Sequence, residues 1–213
     1  MEISFDEREL ASTLLCGQLE MNNKPVLMRA SLTGKKTMLV VVDMIKGFCE
    51  KGALADPRCK AIAPAISGLI RSLPDADLIF VRDCHTQRST EFSAFPPHCT
   101  DKESELIGEF SHFRGTDVPK NSTNAFVQLL GARSNLLEYD NVIVTGVCTD
   151  ICVLQLALSV RAYMSEFNGH GNVVVFTDTV ETYDAPTHNA DFYNMTALKL
   201  MEQAGVQVFK KLA

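Results

Sequence analysis

The segment from residue 142 to residue 157 constrains the fold more than any other part of the sequence, because a strand pattern passes directly into a helix pattern. Val142, Ile143 and Val144 form a short β-branched run that stops before Gly146, as expected for a buried strand. Apolar side chains then recur at helical spacing, namely Ile151, Leu154, Leu158 and Ala162. The segment therefore predicts a strand, a tight turn and an amphipathic helix.

Cys152 falls in the first turn of this predicted helix, just beyond the carboxyl end of the strand. Thr149 or Asp150 is expected to cap the helix start. A thiol in this position lies near the positive end of the helix dipole and near free backbone N–H groups, which favour a thiolate and can hold a developing oxyanion. The pattern is typical of a nucleophile elbow, although a single buried cysteine more often only fills the core.

The alternation of strand and helix patterns continues along the whole chain. Apolar runs of strand length lie at residues 37–43, 78–83, 172–177 and 206–209, an irregular strand is expected at 112–119, and helical periodicity covers residues 57–73, 123–137 and 187–204. Continuously apolar strands are typical of parallel sheets that are covered on both faces. We therefore expect an α/β fold, a three-layer α/β/α arrangement with a mostly parallel central sheet, in a single domain over residues 1–213. Residues 1–34 are expected to form an N-terminal extension, with a helix at 6–19 and a short strand at 24–32.

Composition excludes several classes of function. The formal net charge is −6 and no cluster of lysine and arginine is present, which argues against binding of nucleic acid or an anionic membrane. The apolar runs are too short for a transmembrane helix, and the N-terminal residues lack a signal-peptide pattern, so a cytoplasmic location is expected. The seven cysteines are scattered and are expected to be reduced thiols. A redox pair of Cys148 and Cys152 is an alternative, although their spacing is not Cys-x-x-Cys.

Three reactive side chains stand at the carboxyl ends of predicted parallel strands, where α/β sheets bind ligands. Asp43 and Asp83 end two strands, and Cys152 follows a third. Asp43 either caps the turn after its strand or takes the thiol proton and later returns it to a leaving amine. Lys120 is either a surface charge or, if it lies in the crevice, a cation that stabilises both the thiolate and the aspartate.

A second group of polar residues follows one of these strands. Asp83 and His85 share one face of an extended segment, and Glu91 and His98 come later in the same long loop. Imidazole and carboxylate ligands suit zinc, iron or manganese rather than calcium or magnesium. The pattern predicts a metal site, and the alternative is a polar surface loop with incidental histidines.

Other aromatic and histidine residues are harder to assign. Phe48, Phe95 and Phe126 adjoin these motifs, so they either belong to the core or form the wall of a pocket for a flat ligand. His170 and His188 are expected to be ordinary exposed residues.

The motifs together resemble those of the isochorismatase-like cysteine hydrolases and, within them, the nicotinamidases. The resemblance extends from about Met38 to Val208 and is carried by Val-Val-Asp43-Met-Ile-Lys-Gly-Phe48, Arg-Asp83-Cys-His85, Phe95-Pro-Pro-His98-Cys, Pro-Lys120-Asn-Ser-Thr-Asn-Ala-Phe126 and Gly146-Val-Cys148-Thr-Asp-Ile-Cys152-Val. The order of the last motif after Asp43 and Lys120 points to the superfamily. The Asp-x-His and Pro-Pro-His pieces point to nicotinamidases rather than to a metal-free relative.

The resemblance implies a reaction and a set of reacting residues. Nicotinamide would be hydrolysed to nicotinate and ammonia, a step of NAD salvage. Cys152 would form a thioester, Asp43 would act as base and then as acid, and Lys120 would keep the pair charged. The N–H groups of Cys148 and Cys152 would form the oxyanion hole, and the Val147–Cys148 peptide bond would be cis.

The resemblance also implies a cofactor, a ring pocket and partners. Asp83, His85, Glu91 and His98 would bind one divalent metal ion, zinc first, with iron or manganese as alternatives. Phe48 and Phe95 would line the pocket for the pyridine ring. Relatives are often homo-oligomers. The sequence departs from the common pattern because Glu91 stands where many relatives have histidine, and because Phe95 must serve where many have tryptophan. Another amide or ureido hydrolase that needs no metal, or a catalytically silent binding relative, therefore remains an alternative.

Overall fold

The computed structural model describes residues 4, 6–133 and 135–213, and its centre is a parallel sheet. The strands are β1 (Thr37–Val42), β2 (Asp77–Asp83), β3 (Thr116–Lys120), β4 (Asn141–Val147), β5 (Asn172–Glu181) and β6 (Gln207–Phe209). Their order in the sheet is β3-β2-β1-β4-β5-β6, and each neighbouring pair is parallel. The helices are α1 (Glu7–Asn22), α2 (Lys46–Cys49), α3 (Pro57–Ala61), α4 (Ala63–Ser72), α5 (Phe126–Ala132), α6 (Leu154–Glu166) and α7 (Ala190–Gln203).

Two apolar cores cover the two faces of the sheet. In β1, Met38 and Val40 point to the core formed with α5, α6 and α7, whereas Leu39 and Val41 point to the core formed with α2, α3 and α4. All six residues of β1 are buried. This alternation explains why the strand is apolar from Met38 to Val42, and it confirms the expected three-layer α/β/α fold.

Several expected helices and strands have different boundaries. The helix expected at 57–73 is divided into α3 and α4 at Ile62, and Pro64 lies in the first turn of α4, where its missing N–H group is tolerated. The helix expected at 123–137 is limited to α5 and a short 3-10 turn, Leu136–Glu138. The strand expected at 24–32 is wrong: Leu27 only forms an isolated bridge with Leu212, and Arg29–Leu32 is a 3-10 turn.

The helix stripe expected after β4 is also wrong. A π-helical turn, Thr149–Val153, precedes α6 and shifts the phase of the helix relative to a regular one. The buried face of α6 consists of Leu156, Ala157, Val160 and Met164, while Leu158 is half-buried and Ala162 is exposed.

The N-terminal helix α1 packs against α7. Gly17 is its buried residue, and Met195 of α7 covers it. Lys24 Nζ lies 2.5 Å from Glu202 and 3.0 Å from Glu20, so charged contacts hold this end of the chain to α7. Among the residues that the structure describes, no helix is long and apolar enough to cross a bilayer.

Gly146 allows β1 and β4 to approach each other at the carboxyl edge of the sheet. Its φ is +113°, and a Cβ atom added there would lie 2.0 Å from the carbonyl oxygen of Val42. The register between β4 and β5 shifts at this residue. A side chain would therefore disturb the strand end that leads into the turn containing Cys152.

We expect Gly146→Ala to lower the free energy of unfolding by about 3 kcal/mol or more, because it combines an unfavourable φ with a backbone clash. Urea denaturation would measure this change. The control is Gly68→Ala in α4, where an added Cβ meets nothing within 4 Å. That change should stabilise the protein by about 0.5–1 kcal/mol. A Gly146→Ala variant as stable as the wild type would contradict the close-approach argument.

Candidate active site

Three adjacent strands bring the acidic and basic residues together. Asp43 follows β1, Asp83 ends β2 and Lys120 ends β3, where it is the direct register partner of Asp83. Lys120 Nζ lies 2.9 Å from Asp43 Oδ2, pairs with Asp83 Oδ1 and lies 3.7 Å from Cys152 Sγ. These four side chains are buried, with exposed fractions between 0% and 5%. Oxygen atoms of the two carboxylates and the sulfur of Cys152 lie within 4.8 Å of one another.

The backbone at Asp43 orients its carboxylate. Asp43 has a φ of +54°, an uncommon value that aspartate accepts more readily than most residues. Its N–H group donates to the carbonyl of Val81, and its Oδ1 accepts a 2.7 Å hydrogen bond from the N–H group of Asp83. The second oxygen of the carboxylate therefore faces Lys120.

The buried charges separate the proton affinities of the two aspartates. Burial raises the pKa of the Asp43 carboxyl to about 7; the nearby Asp83 carboxylate reinforces this increase and Lys120 opposes it. Burial acts on Asp83 in the same direction, but the contacts with Lys120 and His85 together outweigh it, and the pKa of Asp83 is lowered. Burial disfavours the charged form of Lys120, yet the anionic groups around it raise its pKa well above the usual value. Lys120 thus remains a cation, and Asp43 is a group that can accept and release a proton near neutral pH.

Cys152 is a thiol rather than a thiolate in this environment. Burial raises the pKa of Cys152 well above its ordinary value, and Lys120 only partly opposes that effect. The expectation that Cys152 is a thiolate is wrong, because burial outweighs any stabilisation that the start of the helical segment gives to the anion. Attack by this sulfur requires transfer of its proton to a neighbouring base.

The turn that carries Cys152 begins at a cis peptide bond between Val147 and Cys148, as expected. The carbonyl of Cys148 accepts from the N–H groups of Ile151 and Val153, both at 3.1 Å. Cys148 and Cys152 both line the adjoining cavity. That the N–H groups of Cys148 and Cys152 form an oxyanion hole remains a prediction.

A mostly apolar cavity of about 320 Å³ opens beside Cys152. Phe48 and Phe95 line it, as the sequence predicts. Phe126 does not line it: this ring packs edge-on against Tyr163, with 5.7 Å between centroids. Sequence analysis missed several wall residues that come from other loops, namely Leu54, Asp56, Ile151, Tyr183, Asp184 and Ala185.

Three of the four predicted metal ligands converge at one side of the cavity. One ligand atom each of Asp83, His85 and His98 lies within 4.8 Å of the others. Glu91 lies next to this group: its Oε2 is 3.6 Å from His85 Nε2, while its Oε1 accepts from the N–H group of Thr123. Whether Glu91 completes the ligand set remains a prediction.

The hydrogen bonds of the two histidines suit metal binding. His85 Nδ1 is 3.0 Å from the amide oxygen of Asn121, and His98 Nδ1 is 2.8 Å from the carbonyl oxygen of Pro96. Both oxygens are acceptors, so each Nδ1 carries a proton, and it is Nε2 of each ring that would offer its lone pair to a metal ion. His85 Nε2 is buried and has no hydrogen-bond partner among the described residues. A divalent metal ion would satisfy this atom, and the donor set fits zinc, iron or manganese.

The histidine expectations outside this group have mixed outcomes. His170 is exposed, as expected. The expectation for His188 is wrong, because its ring is buried between Tyr183 and Tyr193 and lies 2.8 Å from Asp150.

Residues 37–209 match the family described as the Isochorismatase domain, and the chain therefore belongs to this family. Within the family it is a hydrolase of the nicotinamidase-like type. The chain is 27% identical to Nicotinamidase 1 of Arabidopsis thaliana, over 82% of this chain and 86% of that protein.

Solved structures of similar proteins share the fold. The pyrazinamidase/nicotinamidase of Streptococcus mutans matches with a TM-score of 0.66 and 23% identity, over 82% of this chain and 100% of that one. The pyrazinamidase of Pyrococcus horikoshii, solved in complex with zinc, matches with a TM-score of 0.64 and 22% identity, over 82% of this chain and 99% of that one.

The Asn121 contact provides a test of the metal site. We expect Asn121→Ala to lower affinity for zinc by about 10–100-fold, because the acceptor that fixes the His85 ring is lost while the ligands remain. His98→Ala, which removes a ligand, should weaken binding further. Competition with a chromophoric chelator would measure affinity, with the exposed His170→Ala as a control of unchanged affinity. Wild-type affinity in His98→Ala would contradict the proposed ligand set.

Proposed function

We propose that this chain hydrolyses nicotinamide to nicotinate and ammonia through a thioester on Cys152, as a step of NAD salvage. The observation that carries the proposal is the buried contact of Lys120 with Asp43, Asp83 and Cys152 at the wall of an apolar cavity. This arrangement supplies a nucleophile, a proton acceptor and a fixed cation at one place.

In the first half of the reaction, Asp43 takes the proton of the Cys152 thiol, and the sulfur attacks the carboxamide carbon. Lys120 keeps its charge and compensates the negative charge that moves between the carboxylate and the sulfur. The N–H groups of Cys148 and Cys152 hold the oxyanion. Asp43 then delivers its proton to the departing nitrogen, so that ammonia leaves and a thioester forms.

In the second half, water replaces ammonia. Asp43 takes a proton from the water as it attacks the thioester carbon, and the carbon–sulfur bond breaks. The sulfur recovers a proton through Asp43, which returns the enzyme to its starting state and releases nicotinate.

Asp83, His85 and His98, with Glu91 as the proposed fourth ligand, would hold the divalent metal ion. When bound, this ion supplies a Lewis-acidic position at the cavity wall for the pyridine nitrogen of the substrate. Phe48 and Phe95 provide apolar surface for the flat ring, and their place in the cavity supports an aromatic substrate.

The charge of the cavity supports a neutral substrate. Asp56, Asp83, Glu91 and Asp184 line it, and the lining residues that the structure describes include no lysine or arginine. The metal ion and Lys120 would offset the charges of Asp83 and Glu91, which leaves Asp56 and Asp184 as the acidic residues of the wall. An uncharged amide enters beside them more readily than a carboxylated compound.

The first test is ammonia release from nicotinamide by metal-loaded protein. We expect Cys152→Ala to lower the rate by a factor of about 10⁴ or more, and Asp43→Asn by about 10²–10⁴, because the nucleophile and its base are lost. Cys16→Ala, which changes an exposed cysteine of α1, is the matched control and should retain full activity. Ammonia release by Cys152→Ala at the wild-type rate would contradict the thioester mechanism. Failure of the wild type with zinc, iron and manganese would contradict the substrate.

Metal removal separates the proposal from a related one. Asp83 is already paired with Lys120, so the buried cluster by itself also fits an amide or ureido hydrolase that needs no metal. We expect chelation to lower nicotinamide hydrolysis more than about tenfold and re-addition of zinc, iron or manganese to restore it. A metal-free protein with full activity would favour the metal-independent alternative.

A further inference from the structure

A buried histidine joins the turn of Cys152 to another segment of the cavity wall. His188 lies in the loop between β5 and α7 and is only 9% exposed. Its ring is stacked between Tyr183, at 3.9 Å and 8°, and Tyr193 of α7, at 3.8 Å and 14°. We call these three residues the tyrosine clamp.

The contacts of the His188 ring place an oxygen atom beside each ring nitrogen. Nδ1 lies 3.0 Å from the carbonyl oxygen of Tyr183, and Nε2 lies 2.8 Å from Asp150 Oδ2. Both partners are acceptors, and a neutral imidazole has only one N–H group to donate. An imidazolium beside the Asp150 carboxylate would satisfy both contacts, and two electron-rich aromatic faces favour a cation between them.

Asp150 connects the clamp to the nucleophile. It lies in the π-helical turn Thr149–Val153, two residues before Cys152. Its other oxygen, Oδ1, accepts a 2.6 Å hydrogen bond from the hydroxyl of Thr182. Both oxygens of this half-buried carboxylate are thus bonded to the chain segment that follows β5.

The same segment forms a wall of the cavity. Tyr183, Asp184 and Ala185 line it, and the N–H and carbonyl groups of Ala185 and His188 exchange two 2.9 Å hydrogen bonds. Movement of His188 would therefore move Tyr183 and Ala185 as well. Asp184 is bonded in turn to Asp56 of the facing wall, through its N–H group at 3.1 Å.

We propose that His188, as an imidazolium in the tyrosine clamp, is a positioning residue that fixes the cavity wall at Tyr183 relative to Cys152. The side chain touches neither the reacting atoms nor the predicted metal ligands, and it acts through Asp150 and Tyr183. The kinetic part of this inference rests on the proposed amide hydrolysis, whereas its structural part does not.

The structural part is tested without activity. Nitrogen chemical shifts of ¹⁵N-labelled histidine in the metal-loaded protein at pH 7, assigned with a His188→Gln variant, should reveal one buried histidine with both nitrogens protonated. A neutral tautomer at His188 would overturn the imidazolium assignment.

The kinetic part is tested by replacing His188 with alanine, which leaves an empty slot between the rings of Tyr183 and Tyr193. We expect His188→Ala to lower kcat/KM for nicotinamide by about 10–100-fold, mainly through KM, because the wall at Tyr183 is released while the Lys120 contacts remain. Added imidazole should occupy the slot and restore KM. The double variant His188→Ala/Tyr193→Leu has lost one face of the slot and should not respond.

Controls separate this inference from the proposed function and from simple loss of fold. Wild-type protein assayed with imidazole measures any competition of imidazole with the substrate at the metal site. The variant His170→Ala, at an exposed histidine, should have unchanged kcat and KM. If the wild type releases ammonia but His188→Ala has an unaltered KM, the positioning role is wrong. If His188→Ala loses kcat and KM is not restored by imidazole, the role is only structural and the inference is also wrong. If the wild type itself is inactive on nicotinamide, the proposed function fails and the shift measurement still decides the imidazolium.

Discussion

The buried ammonium group of Lys120 is the interaction on which the site depends. A lysine with an exposed fraction of only 2% would be strongly disfavoured without anionic partners, and the carboxyl groups of Asp43 and Asp83 lie beside it. Two carboxylates compete for one cation, so their proton affinities separate: Asp83 stays ionised, and Asp43 has a pKa of about 7. A permanent positive charge beside a carboxylate that can exchange a proton is the requirement for moving a proton from a thiol to a leaving amine.

The sheet order makes this arrangement possible, and Asp83 extends it toward the metal site. β3, β2, β1 and β4 are neighbours, so their carboxyl ends deliver Lys120, Asp83, Asp43 and the turn of Cys152 to one edge. Asp83 uses Oδ1 for Lys120, while its Oδ2 faces His85 Nε2 at 3.7 Å. One carboxylate can therefore serve the charge cluster and a metal ion at once, which places the two groups of residues side by side in the structure.

The sheet and the convergence at its edge were predictable because each rests on local patterns. Continuous β-branched runs predict buried parallel strands, and residues at their carboxyl ends must meet. Features that depend on how loops and side chains pack were not predictable from these local patterns. The two rings that stack on His188 come from a loop and from α7. Asn121, just after β3, contacts His85, just after the neighbouring strand β2. Phe126 belongs to a recognisable motif, yet its side chain turns toward Tyr163. The protonation of Cys152 depends on burial, which the local pattern does not encode.

Polar contacts add to apolar packing in the cavity walls. Phe48 belongs to one of the two cores and Tyr183 packs against it, but the sides of these walls that face the open cavity lack close-packed neighbours. Directional bonds also join the wall segments: Asp56 accepts from the N–H group of Asp184, and Asp150 binds both Thr182 and His188. In a poorly hydrated region such bonds are strong when satisfied and costly when broken. The loops can therefore keep a defined shape around an empty volume, and residues that never touch a substrate can still determine where it binds.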